Sequence, residues 1–148
     1  MSKISSTGSS ESDVTAGLSM HQNQHDAEDI NDDDLLLRRI TPADHTALQP
    51  DGTRILTGFA FRERTHEFSM YVAKEVTHEK VLSCGFPTQE IVEVRAGDVR
   101  QLGYIIVRDP DECDDSHVFA HATVHKSRNQ VAKDCKALAE LVNARRGA

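Results

Sequence analysis

The chain has 148 residues, of which 38% are apolar and none is Trp, a supply that stocks one small hydrophobic core. Its net charge of −7 excludes a uniformly cationic nucleic-acid surface, and no run approaches the ~20 apolar residues of a membrane span. The three Cys are odd in number, widely spaced and without a CxxC pair, so free thiols, a reducing compartment and a cytoplasmic location are expected.

Charge and pattern divide the chain. Residues 1–34 carry one Lys and eight Asp or Glu, a net of −7, so residues 35–148 balance 16 bases against 16 acids and are neutral. The first segment is dominated by Ser, Thr, Gln, Asn and acids with no period of two or 3.6, which predicts a disordered acidic tail over 1–34. It has no apolar h-region, so no secretory signal is expected. The step from Asp32-Asp33-Asp34 to Leu35-Leu36-Leu37 places the boundary of a single domain, 35–148.

Within that domain, 35–40 reads as a strand stopped by Pro42, and 41–54 as a loop with an Asp51-Gly52 turn. Alternation of Phe59 and Phe61, then of Phe68, Met70 and Val72, predicts a β-hairpin over 56–72 turning at 62–67. Thr77 as N-cap, a Val76/Val81 staple and Gly85 predict a short helix. Residues 91–94 read as a strand, and Asp98 as the cap of one helical turn ended by Gly103. Tyr104, Ile105, Ile106 and Val107 are apolar on both faces, which predicts a central strand. After an acidic loop at 109–115, residues 118–124 alternate as a strand. Ser127 with Gln130 then caps a final helix carrying Val131, Cys135, Leu138 and Val142 at helical spacing. The sum is an α+β fold: a mixed or mainly antiparallel sheet of about five to six strands, two short helices and a C-terminal helix.

The candidate chemistry gathers near the end of the sheet. His117, His121 and His125 would share one face of a helix, but on a strand residues four apart are separated by roughly 13 Å, too far to chelate one ion. No metal and no cofactor are therefore expected. The alternation puts His117, His121 and Thr123 on one face, with the acidic loop beginning at Asp109 beside them. Imidazole and carboxylate together are the usual means of general acid–base work near neutral pH, so Asp109, His117, His121 and Thr123 are the catalytic candidates. His121-Ala122-Thr123-Val124 also resembles the His-x-Thr-apolar signature of the two-histidine phosphoesterases, in which paired motifs contact one phosphate; no second copy is present. Cys113 stands among carboxylates, which disfavours a thiolate nucleophile, and Cys135 lies on the apolar stripe.

The pieces LLLRRI, FAFR with EFSMYVA, and AGDVRQLGYIIVRDP together resemble a group of short uncharacterised bacterial proteins, over residues 35–142. The resemblance implies a bacterial cytosolic protein and carries no activity, so no residue role follows from it. Three functional expectations result. The first is an interaction or accessory, regulatory module whose acidic tail engages a protein partner. The second is a small hydrolase or phosphoesterase using His117, His121, Thr123 and Asp109. The third is a nucleic-acid-binding module built on the arginine pairs, such as Arg38-Arg39 and Arg95 with Arg100.

Overall fold

A computed structural model describes residues 24–147. Chain order runs β1 (Leu35–Ile40), α1 (Pro42–His45), β2 (Thr46–Leu48), β3 (Arg54–Leu56), a 3-10 turn (Gly58–Phe61), β4 (Phe68–Val72), a second 3-10 turn (Ala73–Glu75), α2 (His78–Ser83), β5 (Glu90–Arg95), α3 (Ala96–Gln101), β6 (Tyr104–Arg108), β7 (His117–Ala122) and α4 (Arg128–Arg146). Five strands form one antiparallel sheet in the order β5-β1-β4-β7-β6, and β2 with β3 forms a separate hairpin. The architecture is α+β, as the sequence pattern predicts.

Period-two alternation sorts the side chains of each strand onto two faces. Leu36, Ile40, Met70, Val92, Ile106 and Val118 point to the main core, where α4 lays down Val131, Cys135, Leu138 and Val142. The helix begins as expected, with Ser127 Oγ accepting from the Gln130 amide at 3.1 Å. Gln130 does not return the bond; its side chain donates to Asp134 instead, so only half of the capping box forms. The opposite face carries a smaller cluster of Leu37, Tyr71 and Val81, covered by α2 and by the loop between β6 and β7. Thr77 caps α2 as predicted, its hydroxyl accepting from the Lys80 amide.

Several local expectations are displaced by tertiary packing. The hairpin over 56–72 does not form: β3 pairs back with β2 around the Asp51-Gly52 turn, while β4 pairs with β1 and β7. Between them, the 3-10 turn packs so tightly on α4 that a Cβ on Gly58 would stand 3.1 Å from the Lys136 backbone nitrogen. Helix α3 starts at Ala96, straight out of β5, so Asp98 sits in its first turn rather than capping it. Strand β7 ends at Ala122, leaving Thr123 and Val124 exposed beyond it.

The largest difference concerns the sheet edge. The apolar run 104–107 is not central; β6 is an edge strand. Its outer side is closed by residues placed in the acidic tail by composition: Ala27 N–H donates to the Ile106 carbonyl at 2.7 Å, and the Ile106 amide donates to the Asp26 carboxylate at 2.9 Å. Ala27 and Ile30 are buried in the main core, and the carbonyls of Asp32 and Asp34 accept from the Gly97 and Ala96 amides at the start of α3. Residues 24–34 are thus packed on the domain that follows them. The rest of the expected tail, 1–23, lies outside the described residues.

A second correction concerns the cysteines. Cys84 and Cys113 form a disulfide with Cα atoms 5.9 Å apart, and only Cys135 is a free thiol, buried in the core. Two positions 29 apart in sequence, one closing α2 and one in the acidic loop, meet only because both cover the same face of the sheet. Among the described residues no helix is long and apolar enough to cross a membrane.

Candidate active site

The face of the sheet opposite α4 carries a block built by β4 and β7. Register pairs Ser69 with Phe119 and Tyr71 with His117; one step further, Glu67 faces His121. Alternation therefore sends Glu67, Ser69, Tyr71, His117, Phe119 and His121 to one surface, while Phe68, Met70, Val118 and Ala120 enter the core. The polar block is a consequence of strand geometry acting on a mixed sequence.

His117 is its best-connected member. The ring is buried, with Nδ1 2.7 Å from the backbone carbonyl of Asp109 and 3.4 Å from the Asp109 carboxylate. A carbonyl only accepts, so Nδ1 carries the ring proton and Nε2 of the neutral ring is an acceptor. Against Nε2 lies the Ser69 hydroxyl, in a close hydrogen bond that the hydroxyl donates when the ring is neutral. Ser69, His117 and Asp109 thus form a continuous hydroxyl–imidazole–carbonyl and carboxylate relay. Ser69 is itself pinned: its amide donates to Glu63 at 2.9 Å, and its carbonyl accepts from Arg38 at 2.9 Å. Arg38 also donates to the Ala60 carbonyl and is ion-paired with Glu63.

The loop that brings Asp109 in is fastened from beneath by Tyr71, whose hydroxyl donates to Asp111 at 2.7 Å. Burial, reinforced by the Asp111 hydrogen bond, pushes the Tyr71 phenol up to about 12. Burial works against the Asp111 carboxylate as well, but bonds from the Asp114 amide and from Tyr71 outweigh it and hold the group below the ordinary carboxylate range. Asp111 also stands 3.9 Å from His117 Nε2.

His121 belongs to the other end of the block. Its Nδ1 lies 3.1 Å from Glu67, and both line a cleft of about 850 Å³ with His66, Thr123, His125 and Ile105. His66 occupies the left-handed region at φ 61°, unusual for a residue with a Cβ, and turns the chain into the cleft wall. Ser69 follows Glu67 by two positions on the same strand face, so it lies about 7 Å along the sheet from the cleft.

Comparison with protein-family models, with curated proteins and with solved structures finds no match. Function therefore rests on the site alone. The structure brings together Asp109 and His117, sets His121 apart with Glu67, and leaves Thr123 beyond the strand with its hydroxyl 3.3 Å from the Gly103 carbonyl. Among the described residues no three His, Cys, Asp or Glu side chains converge to hold a metal ion. The residues that sequence reasoning missed are Ser69, Tyr71 and Glu67. Their only signal is alternation along 67–71, which marks them as sharing a face but does not say that β7 lies beside it.

Proposed function

We propose that this protein is a small hydrolase of ester or phosphoester substrates, with Ser69 as nucleophile and His117 as its general base. The observation that carries the reading is the Ser69–His117–Asp109 relay, in which the Nδ1 contact fixes the tautomer that can take the Ser69 proton. In the first step Ser69 Oγ bonds to the acyl carbon or phosphorus and its proton passes to Nε2. His117 then returns that proton to the departing alkoxide. Water repeats the sequence on the Ser69 ester, releasing acid and restoring the hydroxyl. The nearby cleft, with its imidazoles and apolar Ile105, is the place for the rest of the substrate.

The partner-binding reading loses part of its support. Asp26, Asp29, Asp32, Asp33 and Asp34 are ion-paired with Arg100, Arg108, Arg95 and Lys74 of the same chain, which engages acids meant for a basic partner. The same pairs neutralise Arg95 and Arg100, and Arg38 is buried, which removes much of the basic surface from the nucleic-acid reading.

The test needs no prior substrate. A fluorophosphonate reagent should label the protein once, at Ser69 by peptide mapping, and Ser69→Ala should not label. Screening carboxylic esters and phosphoesters should then give turnover that Ser69→Ala lowers at least about 100-fold in kcat. Because the Asp109 carbonyl is the nearer acceptor, Asp109→Asn should lower kcat by about tenfold at most. Equal turnover by wild type and Ser69→Ala, or labelling elsewhere, sinks the reading.

A further inference from the structure

The acidic loop that supplies Asp109 and Asp111 has few attachments. Asp109, Pro110, Asp111, Glu112 and Asp115 are exposed, and Cys113 is the residue by which the loop joins the apolar cluster around Leu37, Tyr71 and Val81. Its polar ties to the sheet include the Tyr71–Asp111 bond, the exchange between Asp109 and His117, whose carbonyl accepts from the Asp109 amide at 3.0 Å, and the His117 amide donating to the Asp114 carbonyl at 3.3 Å. Five carboxylates within seven positions, 109–115, repel one another and favour an expanded loop. On the other side of the bridge, α2 is six residues long and contributes one fully buried side chain, Val81. An isolated helix of that length does not hold itself together in water. Helix α2 is held to the sheet by Val81 and by Arg39, which donates to the Val81 carbonyl at 3.0 Å, and Cys84–Cys113 is the covalent link between it and the loop.

We propose that the Cys84–Cys113 disulfide is a redox-modification site that governs the candidate catalytic relay, by fixing or releasing the loop that holds His117 in its working tautomer. The chemistry is a two-electron exchange with a dithiol/disulfide couple. One thiol of the dithiol attacks a sulfur as its thiolate, the Cys84–Cys113 bond breaks, and the second thiol resolves the mixed disulfide, the two protons of the dithiol passing to the protein sulfurs. Two protein thiols and an oxidised dithiol result. Cys84 is exposed and Cys113 half-buried, so a small dithiol reaches the bridge without unfolding the sheet. Once it is open, charge repulsion moves the loop outward, the Asp109 contact at Nδ1 is lost, and the ring is free to change tautomer. The consequence for activity rests on the hydrolase reading; the consequence for the loop and for His117 does not.

The experiment uses the full chain in three forms: oxidised, reduced with dithiothreitol, and Cys84→Ser/Cys113→Ser. Alkylation and intact mass without reductant first establish the bridge. Hydrogen exchange should then show amides of 109–116 exchanging about tenfold faster or more in the reduced and double-Ser forms, with β1 and β4 unchanged. Imidazole nitrogen NMR should report the Nδ1-protonated tautomer of His117 in the oxidised form and a mixture in the other two. Fluorophosphonate labelling of Ser69 should fall several-fold on reduction. Three free thiols in the protein as isolated under non-reducing conditions, or identical exchange and His117 signals in all forms, overturns the proposal. Failure of Ser69 to label in any form counts against the hydrolase reading alone, since exchange and NMR decide the redox coupling without it.

Discussion

Arg38 illustrates how far one position on a strand alters a residue's meaning. As part of Arg38-Arg39 it reads as surface charge, yet alternation on β1 sends Arg38 to the α4 side and Arg39 to the other. Arg38 is 7% exposed, lies 5.6 Å over the Phe61 ring and donates to the Ala60 and Ser69 carbonyls and to Glu63. A buried cation is tolerated only when it is well paired, and removing it leaves two carbonyls without this donor and Glu63 with the Ser69 amide in place of its counter-charge. Arg38→Ala should therefore cost about 3 kcal/mol in urea unfolding, and Arg38→Lys, whose donors sit on one nitrogen and cannot replace the separate Nε and Nη1 contacts, should recover less than half of that. A loss below about 1 kcal/mol would mean that Glu63 and the carbonyls find water instead. Cys135 makes the complementary point: burial pushes its thiol up to about 11, so it should resist alkylation until the core opens.

At the scale of elements, the segment before β1 behaves as part of the fold because of two apolar residues in an otherwise polar run. Its ion pairs are largely exposed, Asp33 at 91% and Asp32 at 65%, and such pairs are screened by salt and contribute little. Ile30, at 1% exposure, is worth about 1.5–3 kcal/mol by burial alone. The apolar anchor is therefore the larger contribution. Ile30→Ala should lower stability by about 2–4 kcal/mol and make 24–34 sensitive to limited proteolysis, whereas 0.5 M salt should shift the melting midpoint only slightly. The opposite ranking would show that charge holds the segment. Its attachment also bears on how an edge strand can be as apolar as β6: the outward amide and carbonyl of Ile106, at the middle of the strand, are both occupied.

For the whole molecule, acid is the perturbation that reaches most of these contacts together. Asp29, Asp34 and Asp114 are held below the ordinary carboxylate range chiefly by hydrogen bonds, from Arg108, Lys74 and Ser116 respectively. For Asp134, burial acts upward, and bonds from Lys126, Tyr104 and Gln130 outweigh it. A carboxyl whose folded value lies below its unfolded value of about 3.9 stabilises the fold above that value and ceases to do so as pH falls through the folded one. The urea midpoint should accordingly be nearly level from pH 7 to about 5 and decline below about 4. A rise in stability toward pH 3 would contradict the sign for all four groups.

Much of the architecture is written locally. The caps at Thr77 and Ser127, the apolar stripe of α4, the alternation of β1, β4 and β7 and the α+β class follow from periodicities of 2 and 3.6, which any chain with those side chains must satisfy. The face shared by His117 and His121 follows from the same rule. Partners distant in sequence do not: local pattern is blind to which strand lies beside which. Tertiary structure alone decided that Ser69 meets His117 across 48 positions, that Cys84 meets Cys113, and that β3 turns back to β2 instead of forward to β4. It also decided that residues 24–34 pack on the domain. Composition averages over a segment, so eight acids obscure Ala27 and Ile30, whereas burial is settled residue by residue against the surface that the rest of the chain provides.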